Sequence, residues 1–149
     1  MKVVSVNISL KKGTTKNPVG EIIINEDGVE GDAHAGTANR KVSLLSKEKI
    51  DYFSSNTGSR KFDPGDFAEN ITFSGLEESK ILISDRFKIG DVELEVTQLG
   101  KECHGNKCAI FTEVGSCVMP KEGIFCRVIN GGKVKPGDDI EYISGSLKQ

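Results

Sequence analysis

Hydrophobic positions along the chain fall into short runs, and in several of them polar residues occupy the alternate places. The pattern is clearest at Lys2 to Ser9 and Val92 to Gln98, where apolar side chains return every second residue. That is the period of a strand with one buried face. Further runs lie at Gly20 to Ile24, Lys41 to Leu45, Asn70 to Phe73, Lys80 to Ile83, Ile124 to Ile129 and Asp139 to Ile143. Glycine, often followed by Asp, punctuates them. Many short strands separated by Gly-containing turns predict a mainly β fold, a sandwich or a barrel. One segment has helical spacing instead. Ser46 is a good N-cap, Lys47-Glu48-Lys49 form a polar first turn, Ile50 and Phe53 share a face, and Asn56-Thr57-Gly58 ends the element. Lys88 to Glu95 also echoes Lys135 to Tyr142, each with a Gly-Asp turn ahead of a strand. The echo predicts two similar hairpins within one barrel.

The chain has 149 residues, a length that buries a sizeable core without covalent staples. One domain over 1–149 is expected, with a frayed polar tail from Ser144 to Gln149. Hydrophobic residues make up 36% and charged residues 28%, a globular rather than disordered balance. The net charge of -2 supplies no field for nucleic acid, and the absence of Trp leaves few stacking platforms. No apolar run approaches the roughly 18 residues of a membrane span. The N-terminus alternates like a strand and lacks the features of a signal peptide. A cytoplasmic protein that binds neither membrane nor nucleic acid is expected.

The four cysteines, Cys103, Cys108, Cys117 and Cys126, all lie in the last third. Cytosolic thiols stay reduced, so their clustering points to chemistry rather than to disulfides. Cys126 lies in the apolar run Ile124-Phe125-Cys126 and Cys117 beside Val118-Met119, as structural cysteines do. Cys103 and Cys108 instead occupy the polar segment Gly100 to Ile110, after a predicted strand. Lys101, His104 and Lys107 surround them, and nearby positive charge favours the thiolate. A thiolate is both the nucleophile and the soft metal ligand. Cys103, His104 and Cys108 supply three donors where structural zinc takes four, so zinc is a minor reading. A redox pair is a second one, since the short spacing permits a bridge.

A second constellation is Val29-Glu30-Gly31-Asp32-Ala33-His34-Ala35-Gly36, followed by Arg40, Lys41 and Ser43. Small residues around His34 permit close backbone approach, and Arg40, Lys41 and Ser43 carry phosphate-binding chemistry. A surface His beside a Gly-Asp turn is the plainer reading. In a third, Asp63 to Thr72, Asn70 opens a strand and could bond a neighbouring loop or a ligand ring. Arg127, emerging from the run Ile124 to Ile129, is a further anion partner. No phosphate loop, dinucleotide fingerprint or nucleophile elbow is found.

In order along the chain, Gly28 to His34, Val42 to Leu45, Pro64 to Thr72, Ile89 to Val92, Gly100 to His104, Met119 to Phe125 and Gly132 to Asp138 resemble the MOSC family, named for the C-terminal domain of molybdenum cofactor sulfurase. The ordered set covers nearly the whole chain and is most similar to the short bacterial members. The resemblance implies a β-barrel with a few short helices and a cleft with a reactive cysteine. It implies molybdenum cofactor as ligand, with Cys108 matching a molybdenum-binding position and Cys103 matching the loop of the short bacterial proteins. Which of the two is the functional thiol stays open. Arg40 and Ser43 are the nearest analogues of the family's phosphate-binding residues, and His34, Asn70, His104 and Arg127 complete the candidate cofactor-binding set. No segment resembles the sulfurase's pyridoxal-phosphate domain, so that cofactor is not expected. Three roles follow: a carrier of the cofactor or of its sulfur, served by a sulfur-donor protein; a molybdenum-dependent reductase of N-hydroxylated compounds, which requires a separate reductase as electron donor; or a non-catalytic metal or interaction module.

Overall fold

Alternation along Val92–Leu99 carries into three dimensions: Val92, Leu94 and Val96 are buried, and Glu93 and Glu95 between them are half-exposed. The structure is a computed structural model and describes residues 1–9, 16–32, 42–51, 63–65, 69–75, 81–99 and 123–144. Its strands are β1 (Lys2–Ile8), β2 (Asn17–Val19), β3 (Ile22–Asn25), β4 (Gly28–Val29), β5 (Val42–Ser46), β6 (Ile71–Ser74), β7 (Arg86–Ile89), β8 (Val92–Leu99), β9 (Ile124–Asn130), β10 (Gly132–Val134) and β11 (Glu141–Ile143). Eight of them form one sheet in the order β11-β7-β8-β9-β5-β6-β1-β2, and β10-β3-β4 form a second.

The large sheet curls until its ends meet. Val3 N–H donates to Asp138 O at 2.9 Å, Gly137 N–H to Val3 O at 2.8 Å and Ile140 N–H to Met1 O at 2.9 Å. These bonds join the start of β1 to the chain just ahead of β11, at the opposite edge of the sheet. The result is the expected β-barrel, and closure protects edges that would otherwise pair with other chains. Its inner face carries Val3, Val6, Leu44, Ile71, Phe73, Phe87, Leu94, Val96 and Cys126, and the small sheet adds Ile22, Ile24, Val29 and Val134 to the same core. Strand β5 is buried at every position, its serines Ser43 and Ser46 included, so both of its faces are covered.

Strands β5 and β6 pair in parallel. A parallel pair requires a crossover of a dozen or more residues, and the predicted helix lies in that connection. Residues 47–51 are helical, Lys49 N–H donates to the Ser46 cap hydroxyl at 3.2 Å, and Ile50 is fully buried. Phe53 and the predicted helix end lie outside the described residues.

Two sequence expectations are corrected. Residues 81–83 are not a strand: Leu82 and Ile83 are exposed on a turn. Asp85 makes that turn, because its N–H donates to Leu82 O at 3.1 Å and its carboxylate accepts Leu82 N–H at 2.8 Å. Ser84 and Asp85 then exchange backbone bonds with Val96, and the regular ladder starts at Arg86, opposite Glu95. The echo also resolves into two different structures. Gly90-Asp91 joins β7 to its antiparallel neighbour β8, whereas Lys135 to Asp138 carries the chain from the small sheet to the large one. A Gly-Asp turn sets the local reversal; the partner each following strand meets is a tertiary matter.

The Asp85 carboxylate also accepts the Tyr142 hydroxyl, and the Tyr142 ring lies 5.7 Å from that of Phe87. Burial and the Asp85 bond push the phenol up to about 12. The raised value favours the protonated phenol in the folded chain. Its contribution is complete below the ordinary tyrosine value of about 10 and is lost as pH climbs through about 12. Tyr142→Phe is therefore expected to be less stable at neutral pH but to lose less stability on going to high pH. Urea unfolding across a pH series checks this, and parallel alkaline slopes for parent and variant would refute it.

Candidate functional site

The sheet's other face is polar where β1, β6 and β5 meet. Ser5 and Asn7 flank core residue Val6, Asn70 and Thr72 flank Ile71, and Ser43 precedes Leu44. Period 2 therefore places these polar residues together, and all five are buried. A buried polar group must be hydrogen-bonded, and here the bonds are extensive. Asn70 N–H donates to Ser43 O at 2.9 Å and to Ser43 Oγ at 3.0 Å. Asn70 Oδ1 accepts from Ser43 N–H and from the Ser43 hydroxyl, each at 3.1 Å. Asn70 Nδ2 reaches Asn7 O at 3.3 Å, and Asn7 N–H returns to Asn70 O at 2.8 Å. Asn7 Nδ2 also donates to Glu69 O at 3.1 Å and Thr72 Oγ1 at 3.2 Å, and Ser5 Oγ donates to Asn7 Oδ1 at 2.7 Å.

Glu69 is completely buried, and its Oε2 accepts from Thr72 Oγ1 at 2.6 Å and from Gly65 N–H at 3.1 Å. Gly65 in turn touches Lys16, whose N–H donates to Gly65 O at 2.8 Å. Lys16 Nζ bonds both carboxylate oxygens of Asp32, at 2.8 and 3.0 Å, and Asp32 Oδ1 also accepts Ser9 N–H at 2.9 Å. Both side chains of this ion pair are only 1% exposed, so no bulk water screens it.

Of the sequence-derived candidates, Ser43 and Asn70 meet here, bonded to each other. Asn70 thus bonds Ser43 on β5 and Asn7 on β1, strands rather than the loop weighed for it. Arg127 lies further along the same face, on β9. Its Nε donates to Glu95 Oε1 at 2.9 Å. Glu95 also accepts Arg86 Nε at 3.1 Å, and Arg86 continues to Glu93 at 2.6 Å. Burial alone would raise the Glu95 carboxyl, but the hydrogen bonds and charges of Arg127 and Arg86 outweigh it and hold the group below the usual range. His34, Arg40, Cys103, His104 and Cys108 lie outside the described residues, as does Cys117.

The fold does fix where the segments bearing those residues join it. Residues 33–41 leave from Asp32 and return at Val42, immediately before Ser43. Residues 100–122 leave from Leu99 and return through Gly123 to β9, where Phe125 pairs with Ser43 and Ile124 with both Leu44 and Leu99. The two segments most charged with chemistry therefore both join the β5–β9 pair, but its antiparallel register places residues 33–41 at the Val42 end and residues 100–122 at the Leu44 end. Cys126 faces the opposite way, fully buried in the core, and burial followed by the charge of Glu95 pushes its thiol far above its ordinary value. It is the structural cysteine its apolar neighbours predicted. Among the described residues no group of His, Cys, Asp or Glu could hold a metal ion, and no helix is long and apolar enough to cross a membrane.

The family model for the MOSC domain matches residues 31–141, which include both segments, β5 and, from the polar layer, Ser43, Asn70 and Thr72. The chain belongs to the MOSC domain family. This MOSC chain is 26% identical over 150 residues to the uncharacterized protein YflK of Bacillus subtilis, a match covering 93% of this chain and 66% of that one. It is 27% identical over 135 residues to the protein YiiM of Escherichia coli, covering 84% of this chain and 60% of that one. It thus spans less than two thirds of YiiM and about two thirds of YflK. Among solved structures, YuaD of Bacillus subtilis superposes with a TM-score of 0.81 at 20% identity, over 96% of this chain and 95% of that one. That likeness speaks for the MOSC fold.

Sequence reasoning gave no role to Lys16, Asp32, Glu69 or Asn7. Asp32 and Glu69 stood within segments singled out for other residues, and their acidic character beside a glycine or a strand start was the only signal. Lys16 carried none, because its partner lies 16 positions away and on another element.

Proposed function

We propose that this MOSC protein binds molybdenum cofactor, or carries sulfur destined for it, through a thiolate at Cys108 or Cys103. The family is associated with that cofactor. The observation that supports the reading most is that both segments are anchored on one strand pair: the His34–Arg40 segment returns at Val42, opposite Cys126, and the cysteine segment returns at Ile124, opposite Leu44 and two residues along β5. The donor chemistry fits the group. A soft metal takes a thiolate. Cys126 is removed from contention by its burial and raised thiol, which leaves the polar-segment cysteines.

Cys108 or Cys103 would hold the molybdenum, and Arg40 and His34 would face the phosphate, with His104 and Arg127 as further contacts; Ser43 and Asn70, buried and bonded to each other, would serve by holding β5 and β6 in place. Bound there, the group would supply a thiolate-coordinated molybdenum centre. The chain's own part would be to favour the thiolate with the charges of Lys101, His104 and Lys107 and to anchor both segments on one strand pair of a rigid barrel. For sulfur carriage the same thiolate would attack the outer sulfur of a donor protein's persulfide, breaking the donor's S–S bond, releasing the donor thiolate and holding the sulfur as a persulfide.

The test is metal analysis and thiol mass spectrometry of protein purified without oxygen, before and after incubation with molybdenum cofactor, with Cys103→Ala and Cys108→Ala in parallel. Stoichiometric molybdenum that vanishes in one variant names the ligand. A persulfide on one cysteine without molybdenum supports sulfur carriage. Parent protein that takes up neither, or variants that both retain the cofactor like the parent, would sink the proposal.

A further inference from the structure

A buried ion pair is a poor source of stability, because removing two charges from water offsets most of their attraction. The Lys16–Asp32 pair is buried on both sides, so its presence asks for another reason. Asp32 is the last residue before 33–41, and Val42 and Ser43 are the first after it. A single hydrogen-bonded relay ties these two points together. It runs from Asp32 to Lys16 Nζ, from Lys16 N–H to Gly65 O, from Gly65 N–H to the Glu69 carboxylate, and through the next residue, Asn70, to Ser43.

We infer that this relay, headed by the Lys16–Asp32 pair, is a positioning device that fixes where both ends of residues 33–41 meet the barrel. Only its use, the presentation of His34 and Arg40, rests on the proposed cofactor role.

Directional bonds suit this task better than apolar contact. Hydrophobic burial is non-directional and tolerates small slips, whereas a charged bidentate contact fixes distance and angle. Lys16 bonds both oxygens of Asp32, which sets the carboxylate plane, and Ser9 N–H supplies a third point. The middle of the relay is equally specific. Gly65 has φ +91°, and a Cβ there would lie 2.3 Å from Lys16 O. Only glycine lets these two backbones approach so closely.

The test uses the full chain carrying Lys16→Met together with Asp32→Leu, which removes both charges and leaves neither unpaired. Two quantities are read: the urea midpoint, and the rate of trypsin cleavage after Arg40 and Lys41, with cleavage after Lys107 as an internal control. The expected result is a midpoint well above that of Lys16→Met alone, with cleavage after Arg40 and Lys41 accelerated about tenfold through local opening and the control site unchanged. Unchanged cleavage after Arg40 and Lys41 in the folded double variant overturns the inference. So does a double variant that fails to fold, or one in which every site accelerates alongside a lowered midpoint, since either makes the pair a stability element. Cofactor uptake is no part of this readout, so failure of the cofactor proposal leaves the result decisive.

Discussion

Lys16→Met alone is expected to destabilise the protein by about 3–5 kcal/mol, the range for breaking a buried ion pair at one partner. The loss arises because the ammonium that bonds both carboxylate oxygens of Asp32 is removed from a pair only 1% exposed on either side, where water cannot take its place. Against a typical folding stability of about 5–15 kcal/mol, this is enough to leave much of the protein unfolded. Adding Asp32→Leu is expected to restore about 2 kcal/mol of it. A deficit of about 1–3 kcal/mol remains, because Ser9 N–H then loses its buried acceptor. Urea denaturation of both single variants and the double variant closes the cycle. A Lys16→Met variant as stable as the parent would show that the pair is not sequestered from water.

Asn70→Ala is the second large effect, expected at about 2–4 kcal/mol from several buried groups losing partners at once. The side chain accepts two bonds from Ser43 and donates one to Asn7 O, and alanine can replace none of them. Ser43→Ala removes only the hydroxyl and is expected to cost about 1 kcal/mol. The contrast matters for function as well as stability. If the Ser43–Asn70 clamp holds the two segments in register, Asn70→Ala should release bound cofactor at temperatures where the barrel is still folded. Thermal unfolding followed in parallel with molybdenum retention separates the two losses. Equal stability of Asn70→Ala and the parent would refute the buried clamp.

Much of the barrel was legible because a half-covered strand leaves a periodic trace. β1, β8 and β9 lie almost where alternation placed them, and Cys126 was recognised as a core cysteine from its neighbours alone. β2, β4, β7 and β10 were not foreseen. Three of these are short, and Arg86–Ile89 was masked by the apolar run just before it, which looked more like a strand than the strand itself. The run Lys80 to Ile83 failed for a physical reason: hydrophobicity alone cannot reveal that Asp85 will capture the Leu82 amide and turn the chain.

The candidate site divides along the same line. The sequence by itself determined the mainly β class, the family and the two segments that bear the thiols, His34 and Arg40, because these depend on local residue types and their order. Tertiary structure alone decided that Ser43 and Asn70 clasp each other and that Lys16 meets Asp32. It alone set β9, which receives residues 100–122, beside β5, which receives residues 33–41. Each of those facts is a contact between elements far apart in the chain, set by strand register and barrel closure, and no local pattern records which strand will lie beside which.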